Sequence, residues 1–402
     1  MMGKDTQITQ GLIDAVMPYM EYSENTAYII DPLLKINRTR VNAEFCRSLL
    51  KIDPEKYKET IAGLVQWILA NQNNDGSWNE EHPNYNKPSA LITAIVGETL
   101  LEYSAGSSDI SIMNSLSRAC NYILSQEFAP GYFKKSQENF TDCLNVNATC
   151  GAFLAEYGLL TKNSDVFRSA KNAAHRVCYY QYSNGAYPYT PHERGYPYKY
   201  HFDVPCVHYQ GVTLFYLSKI YQVIPEPWLK ESMLRGTKWL AQVQNEDGHF
   251  DWSKSGLMFA YYLTGAYAFA YAVFSFHTRW IPEYQENASK CLNILERNCP
   301  SYALRWETAS WTSFFVPRLI TLRSAWLGDY PLRHRLFRIG YGYYHQISRR
   351  RVGSRVDEKT FLALCRILHI SSSTIEPTNN FPDMFMTSEI LDCLSSARCD
   401  VR

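Results

Sequence analysis

The sequence predicts an all-α fold, a single (α/α)6 toroid in which outer and inner helices alternate along the chain. A turn of the form Gly-x-aromatic recurs at intervals of 54 to 63 residues, and each turn lies between two helical patterns. The helix before each turn has one charged face, whereas the helix after it is apolar nearly all round, as expected for outer and inner positions. We find no sustained period-two pattern that would predict strands.

The repeated turns carry a second signature, a polar residue placed four positions before the glycine. The four glycines are Gly76, Gly131, Gly185 and Gly248. Gln72, Gln181 and Gln244 hold the preceding position in three repeats, and Glu127 holds it in the second. Glycine permits a sharp turn without a side-chain clash, and glutamine can bond backbone groups left open at helix ends. The pattern therefore specifies a fold and, by itself, no chemistry.

The two most complete copies of this pattern are residues 62–78 and 235–250. Both resemble the QW repeat of the terpenoid-cyclase and protein-prenyltransferase toroids, and the copies at Gly131 and Gly185 match it in part. The resemblance implies a helical toroid with a central cavity. The same plan serves polysaccharide lyases, uronate epimerases, glycosidases and proteins of envelope-polysaccharide biosynthesis, so it leaves the function open.

The helical patterns define one domain with short flanking segments. Outer helices are predicted at residues 54–72, 109–126, 163–182, 226–244, 281–298 and 331–347. Inner helices are predicted at residues 89–103, 143–157, 206–221, 256–276, 306–326 and 358–370. Residues 54–370 would form the toroid, residues 1–53 a helical extension packed outside it, and residues 371–402 a loop and a short helix.

Composition narrows the functional classes. The chain is 46% hydrophobic and 20% charged, which predicts a folded protein with a sizeable core. Its formal net charge of +1 gives no electrostatic reason to expect a nucleic-acid partner. Eleven scattered cysteines favour a reducing compartment over a disulfide framework.

The sequence also predicts a cytoplasmic protein without a transmembrane segment. The first 22 residues lack the basic region and continuous apolar core of a signal peptide. Residues 257–276 are apolar and long enough to span a bilayer, but they include tyrosine, serine and threonine. A buried inner helix is therefore the expected structure of this segment.

In the resembling families the cavity opens near the N-terminal ends of the inner helices, where unpaired backbone N–H groups can stabilise anionic charge. The richest loop of this rim, residues 186–209, is dense in tyrosine and histidine. Asp203, His208 and Tyr209 are its candidate catalytic residues, and it also holds two candidates for substrate binding, Tyr198 and His201. Two structural roles stay open: Asp203 could cap the inner helix, and His208 could be a hydrogen-bonded core histidine.

Other rim segments add further candidates. The Asp-Cys pair that begins with Asp142 loosely resembles the acid motif of oxidosqualene cyclases, although Asp142 could instead cap a helix. Glu307 is a catalytic candidate at the start of a later inner helix, where it too could cap the first turn. The remaining candidates for substrate binding are Trp78, Asn86, Asn145, Arg305 and Trp306.

We expect no bound cofactor, with one zinc site as the alternative. Asp203, Cys206 and His208 have side chains of the kinds that bind zinc. Protein prenyltransferases, which the repeats resemble, take the histidine of their zinc site from much later in the chain. The spacing in this sequence therefore departs from that family's arrangement.

The leading functional prediction is an enzyme that acts by acid/base chemistry on a glycan or glycan-lipid intermediate in polysaccharide biosynthesis or modification. Its reaction would be that of an epimerase, lyase or hydrolase, on a carbohydrate or lipid-linked substrate. Thirty tyrosines suit a sugar-binding cleft better than an isoprenoid cavity. His208 or a nearby tyrosine would move the proton, and Asp203 or Glu307 would orient or share it. Arg305 would hold a carboxylate.

Two alternatives from other classes stay open. One is an isoprenoid enzyme, either a terpene cyclase that uses Asp142 as its acid or a prenyltransferase-like transferase. The other is a non-catalytic toroid whose rim binds a partner. A polar cleft lined by tyrosine and histidine would favour glycan chemistry, whereas a deep tunnel of phenylalanine and tryptophan would favour isoprenoids. The sequence does not predict an oligomeric state.

Overall fold

The computed structural model describes residues 4–32, 34–82, 85–105, 109–138, 141–191, 206–248, 250, 263–298 and 384–399. The helices in this part of the chain are α1 Lys4–Val16, α2 Thr39–Ile52, α3 Lys58–Ala70, α4 Ala90–Ser104, α5 Ile110–Ser125, α6 Leu144–Thr161, α7 Ser164–Tyr179, α8 Val207–Val223, α9 Pro227–Val243, α10 Leu263–His277, α11 Tyr284–Asn298 and α12 Met384–Cys399. Each of them is too short or too polar to cross a lipid bilayer.

Six of the described helices pack side by side in a closed ring. Going round the ring, α2 contacts α4, followed by α6, α8, α10 and α12, and α12 contacts α2 again. The ring helices are buried on nearly all sides; in α6, for example, every residue from Leu144 to Ala155 is buried. The helices α4, α6, α8 and α10, which lack a polar face in the sequence, thus lie in the ring as expected for inner helices.

A second layer of helices surrounds the ring. Each of α3, α5, α7, α9 and α11 packs against the ring helix that precedes it in the chain, and α1 packs against α12 and α11. These outer helices bury one face only: α7 buries five of its residues, all small or aliphatic, and leaves Asp165 and Arg168 exposed to solvent. The predicted all-α toroid of alternating inner and outer helices is confirmed.

Two ring helices differ from the sequence-based assignment. Helices α2 and α12 were expected in the flanking segments 1–53 and 371–402, but the packing includes both in the ring. The buried surface of α2 includes Asn42, Glu44 and Arg47, which in sequence resemble the polar face of an exposed helix. The helices predicted at 306–326, 331–347 and 358–370 lie outside the described residues, so the domain boundaries stay a prediction.

At each repeated turn, one side chain makes a hydrogen bond that links its outer helix to the next outer helix. The glycines of all four turns have positive φ angles, between 73° and 93°, a conformation that favours glycine. The side-chain amide of Gln181 donates to the carbonyls of Gly185 at 3.0 Å and of Ser232, on the next outer helix, at 2.8 Å. Gln72 makes the same two kinds of bond, to Gly76 and Ser115.

The second repeat reaches the same result with a carboxylate. Glu127 accepts the backbone N–H of Gly131 at 2.8 Å and the hydroxyl of Ser169, on the next outer helix, at 2.9 Å. The predicted equivalence of Glu127 with the glutamines therefore has a physical basis. In each case one side chain satisfies its own turn and binds it to the neighbouring helix.

Short hairpins lie in some of the segments between the described helices. The three two-stranded antiparallel sheets in the described residues are β1 Met20–Ser23 with β2 Thr26–Ile29, β3 Trp78–His82 with β4 Tyr85–Ser89, and β5 Glu127–Ala129 with β6 Tyr132–Phe133. The sequence analysis did not predict these strands, because each has at most five residues. The β3–β4 hairpin lies at the N-terminal ends of α2 and α4, and it contributes polar side chains to the site described next.

Candidate functional site

The N-terminal ends of the ring helices surround a cavity of about 90 Å³, here called the N-terminal cavity. Every ring helix contributes to its wall, and the contributing residues include Arg40, Ile92, Asn145, His208, Phe269 and Glu389. The predicted position of the cavity mouth, at the N-terminal ends of the inner helices, agrees with this geometry.

A buried chain of charged groups crosses this cavity from α8 to α12 and α2. His208 Nε2 lies 3.0 Å from Glu389 Oε1, and Arg40 donates to Glu389 Oε2 at 2.6 Å. His208 is 5% exposed and Glu389 is 1% exposed. Burial acts to raise the pKa of Glu389, but the adjacent His208 and Arg40 outweigh it and hold this pKa below its ordinary value. Glu389 is therefore ionised at neutral pH.

The ionised carboxylate defines the protonation of the histidine. A carboxylate can only accept hydrogen bonds, so His208 Nε2 carries the proton that is shared with Glu389. The neutral imidazole then has its lone pair on Nδ1, and the hydrogen bond to Glu389 fixes this tautomer. This pair has the composition of a general base and the carboxylate that orients it.

Arg40 connects this pair to a second carboxyl group. Its Nε donates to Glu44 Oε1 at 2.7 Å, and its guanidinium lies 4.3 Å from the ring centroid of Phe385. Burial raises the pKa of Glu44 to about 7, even though Arg40 acts to lower it. Ser388 donates its hydroxyl to Glu44 Oε2 at 2.8 Å. Arg40 is thus fixed from two directions, which in turn fixes Glu389.

Three buried polar atoms in the same wall have no hydrogen-bond partner among the described residues. They are Arg38 Nε, Glu80 Oε2 and Asn145 Oδ1. Arg38 precedes α2, Glu80 lies on β3 and Asn145 lies in the first turn of α6. Buried polar groups are normally paired, because leaving one unsatisfied costs about 1–3 kcal/mol. One open donor and two open acceptors in one cavity indicate a place for a polar ligand.

The β3–β4 hairpin supplies further charge to this wall. Lys135 donates to Glu80 Oε1 at 2.8 Å, and His82 lies 3.2 Å from the same oxygen. Burial acts to raise the pKa of Glu80, but the bonds from His82 and Lys135 outweigh it and lower this pKa to about 2. Glu81 accepts the backbone N–H of Thr39 at 3.0 Å and so caps the N-terminus of α2. The hairpin is therefore anchored to the ring.

Two tyrosines complete the aromatic part of the cavity. The rings of Tyr189 and Tyr209 have centroids 4.3 Å apart, and both residues line the wall. The ring of Tyr209 is also 5.1 Å from the ring of His208. Aromatic rings can pack against the apolar faces of a sugar ring, and the charged groups beside them can hydrogen-bond its hydroxyls.

Of the residues singled out from the sequence, three meet in this cavity: His208, Tyr209 and Asn145. Asp142 does not line it. Its side chain is fully buried, accepts two hydrogen bonds from Arg176 at 2.9 and 2.6 Å, and accepts a third from Asn147 at 2.7 Å. Burial raises the pKa of Asp142, although Arg176 and Asn147 act to lower it. This geometry gives Asp142 a structural role and does not support its use as a cyclase acid.

Two predicted substrate contacts are placed elsewhere. Trp78 is fully buried, and its indole N–H donates to the carbonyl of Ile68 at 2.8 Å. This bond packs the tryptophan back onto its own outer helix, away from a ligand. Asn86 is exposed on β4, outside the cavity wall. A role for either residue in substrate binding has no support from this geometry.

The remaining predicted residues lie outside the described ranges. They are Tyr198, His201, Asp203, Arg305, Trp306 and Glu307. Their roles stay predictions. The zinc alternative also stays a prediction. Of its three proposed ligands, Cys206 and His208 are described, but Asp203 lies outside the described residues. Within the described ranges, no three histidine, cysteine or carboxylate side chains are grouped to hold a metal ion.

Arg40 and Glu389, the two residues that complete the buried chain of charges, were not predicted from the sequence. They are 349 residues apart in the chain and meet only because α12 closes the ring against α2. A local signal existed in α2, where Arg40 and Glu44 stand one helical turn apart with opposite charges. That pattern is typical of an exposed helix, so it gave no reason to place the pair in a cavity.

Comparisons with known proteins agree with the fold. No family model matches the sequence, and no curated protein matches it. Among solved structures, a family 76 glycoside hydrolase from a bovine Bacteroides thetaiotaomicron strain is 10% identical, with a TM-score of 0.56 over 75% of this chain and 70% of that one. A sugar epimerase from a ruminal bacterium is 11% identical, with a TM-score of 0.57 over 73% and 87%.

A third similar structure is that of an enzyme from a different reaction class. A type II terpene cyclase from Scytonema, solved with geranylgeranyl dihydroxybenzoate, is 12% identical, with a TM-score of 0.51 over 73% of this chain and 78% of that one. The chain is thus an α/α toroid, similar in fold both to carbohydrate-active enzymes and to a terpene cyclase. The resemblance read from the repeated turns is confirmed at the level of fold. At these identities the chemistry must be argued from the residues of this chain.

Proposed function

We propose that the protein is an enzyme that carries out acid/base chemistry on a glycan or glycan-lipid intermediate in polysaccharide biosynthesis or modification. The single observation that carries this proposal is the composition of the N-terminal cavity. It combines the His208–Glu389 pair with three open hydrogen-bonding atoms and two tyrosine rings. Sugars present many hydroxyl groups and apolar ring faces, which match these two kinds of wall.

In the proposed mechanism His208 is the proton-transfer residue. Nδ1 accepts a proton from the sugar, and Glu389 stabilises the resulting imidazolium through the hydrogen bond at Nε2. Arg40 keeps Glu389 ionised and in place, so it is a positioning residue. Tyr209, beside His208, is the candidate for the second proton transfer, and Asp203 and Glu307 stay candidates for the same step.

Substrate binding in this mechanism uses the open atoms. Arg38 Nε donates to an oxygen of the sugar, and Asn145 Oδ1 and Glu80 Oε2 accept from sugar hydroxyls. Ligand hydroxyls that satisfy buried groups also provide specificity, because an analogue without them leaves those groups unpaired. We further propose a reducing, cytoplasmic setting, since the eight cysteines whose side chains are described form no disulfide bond with one another and seven of them are buried.

An isoprenoid enzyme is the alternative that shares the fold. Phe269, Phe385 and Tyr216 add apolar surface to the same cavity, which is the observation in its favour. Against it, the wall is charged on several sides, and the proposed cyclase acid Asp142 is held by Arg176 away from the cavity. A glycan substrate therefore accounts for more of the residues that line the cavity than an isoprenoid substrate does.

A substrate panel would test the proposal. Purified protein would be incubated with neutral and acidic oligosaccharides, with lipid-linked glycans and, in parallel, with isoprenyl diphosphates, and products would be followed by mass spectrometry. Epimerisation leaves the mass unchanged, so the glycan reactions would also be run in D2O to detect deuterium incorporation. Turnover of a glycan by the wild type and its loss in His208→Ala are expected. Turnover confined to the isoprenoid arm would overturn the proposal.

A further inference from the structure

The opposite end of the ring holds a second, larger cavity that the mechanism does not use. It measures about 150 Å³ and is here called the C-terminal cavity. Its wall comes from the C-terminal halves of the ring helices, and the charged residues in it are Arg47, Lys51, Glu98, Glu102, Glu156 and Lys219. None of these residues lines the N-terminal cavity.

Two of the three cations in this wall, Arg47 and Lys219, are paired with Glu98. Arg47, 1% exposed, donates to Glu98 Oε2 at 2.6 Å and to Asp392 at 2.5 and 2.8 Å. Lys219 donates to the same Glu98 Oε2 at 2.6 Å, and Lys51 donates to the hydroxyl of Ser396 at 3.0 Å. Arg47 and Lys219 thus converge on one oxygen of Glu98.

The other oxygen of Glu98 has no hydrogen-bond donor among the described residues. Glu98 is 2% exposed, and Oε1 is buried in a wall of the C-terminal cavity. A buried carboxylate oxygen normally accepts at least one hydrogen bond. The site therefore requires a donor that the described protein groups do not supply.

The charge balance around this oxygen defines the kind of donor. The wall and its direct partner Asp392 contain four carboxyl groups and three cations, which leaves one negative charge when all are ionised. Glu102, Lys219 and Phe276 lie in the last turns of their helices, where the helix dipole also favours positive charge. A ligand with one positive charge and N–H donors would complement both features.

We propose that the C-terminal cavity is a second binding site, which takes a small ligand that carries a single ammonium group. The ammonium donates to Glu98 Oε1, and its charge balances the excess carboxylate. Three cationic side chains already lie in the wall, so they would repel a ligand with several positive charges. The cavity volume limits the ligand to a small amine or to the amine end of a larger molecule.

Glu156 makes this binding dependent on pH. Burial raises the pKa of Glu156 to about 7; Glu98 and Glu102 on α4 add to this effect, whereas Lys219 on α8 and Lys51 on α2 oppose it. Arg47 on α2 and Asp392 on α12 complete the charged groups around the cavity. Without a ligand, a proton on Glu156 removes the excess negative charge below pH 7. An ammonium ligand would replace that proton.

Calorimetry with ethanolamine would test the site. The matched neutral probe is ethylene glycol, and choline is the cation that lacks an N–H donor. Ethanolamine is expected to bind, whereas ethylene glycol and choline are not. Because Glu156 titrates at about 7, the affinity should rise about tenfold between pH 6 and pH 8. Runs in two buffers of different ionisation enthalpy should show proton release at the lower pH.

Substitutions would distinguish ligand binding at this site from a general effect of the protein's charge. Glu156→Gln should abolish both the pH dependence and the proton release, while Glu231→Gln, on the exposed face of α9, should leave them unchanged. Glu98→Gln should weaken binding at every pH, and thermal unfolding would confirm that each variant is folded. Absence of ethanolamine binding, equal binding of ethylene glycol, or unchanged pH dependence in Glu156→Gln would each overturn the proposal. The outcome does not depend on whether the N-terminal cavity is catalytic.

Discussion

The two ends of the helix ring are built from the same helices, yet they treat a buried arginine in opposite ways. At the C-terminal cavity, Arg47 donates to Ile95, Glu98 and Asp392, so the guanidinium is bonded in several directions. At the N-terminal cavity, Arg38 is also buried, at 7% exposure, but its Nε has no partner among the described residues. The first arrangement holds helices together, and the second leaves a donor that we propose binds the ligand.

One carboxyl group at each cavity, Glu80 and Glu156, also has a pKa shifted in the direction opposite to that of the other. Glu80, at the N-terminal cavity, has a pKa lowered to about 2 through His82 and Lys135, which overcome the opposing effect of burial. Glu156, at the C-terminal cavity, has a pKa raised to about 7, mainly by burial. Burial alone therefore does not decide the charge of a group; its neighbours do. Each of the following predictions tests one side of this contrast.

The largest expected effect is on catalysis at the N-terminal cavity. His208→Ala should lower turnover of the glycan substrate by about 10²–10⁴-fold, because the proton-transfer group is lost. The matched control is His175→Ala, since His175 lies on the outer helix α7 and stacks on Trp228. Steady-state kinetics would measure both variants, and circular dichroism would check the helical content. Equal activity in both variants would contradict a catalytic role for His208.

The next largest effect is on stability at the C-terminal cavity. Arg47→Met should lower the free energy of unfolding by about 3–5 kcal/mol, because it leaves Glu98 and Asp392 buried without their main partner. Urea denaturation would measure the change. A loss below about 1 kcal/mol would show that the ion pairs of this cavity are not the structural network described above.

The equivalent change at the other end should affect stability far less. Arg38→Met removes a buried donor that makes no hydrogen bond, so the free energy of unfolding should change by at most about 1 kcal/mol. Glycan binding should weaken, because Arg38 Nε would donate to the ligand. Urea denaturation and calorimetry of the bound glycan would report the two effects separately. A loss of stability equal to that of Arg47→Met would erase the proposed difference between the two ends.

The smallest effects are in the pH dependence of stability, where the contributions of Glu156 and Glu80 should differ in sign. Glu156 has a raised pKa, so its stabilising contribution is present below the pKa of the unfolded chain and is lost as pH rises to about 7. Glu80 has a lowered pKa, so its contribution is present above the unfolded pKa and is lost as pH falls towards 2. Glu156→Gln should flatten the neutral limb of the stability profile, and Glu80→Gln should flatten the acid limb.

Urea denaturation over a series of pH values would measure both limbs. The wild type serves as the reference, and each variant acts as the control for the other. Flattening of the same limb by both substitutions would contradict the assignment of opposite pKa shifts to the two residues.

The part of the fold that the sequence predicted well is the part that local contacts determine. The turn at Gly185, for example, needs a positive φ angle and a glutamine four residues earlier, and both requirements are visible in a short segment. The inner helix predicted at 206–221 is found at Val207–Val223 for the same reason, since its apolar surface is continuous along the chain.

The candidate site was predicted only where a single segment contains it. His208 and Tyr209 were found because they follow a loop rich in tyrosine and histidine. Their partner Glu389 was not found, because ring closure brings together two ends of the chain that no local pattern connects. Asp142 illustrates the opposite error: its motif suggested an acid, and only the structure shows that Arg176 neutralises it. Long-range packing, unlike helix periodicity, leaves little trace in a sequence.

The most direct test of the account is the position of a glycan bound to the His208→Ala variant, determined by crystallography with the substrate found in the panel. The glycan should lie in the N-terminal cavity, with its oxygen atoms within hydrogen-bond distance of Arg38 Nε and Asn145 Oδ1 and a sugar ring against Tyr209. A glycan bound instead in the C-terminal cavity, or on the outside of the ring, would contradict the account.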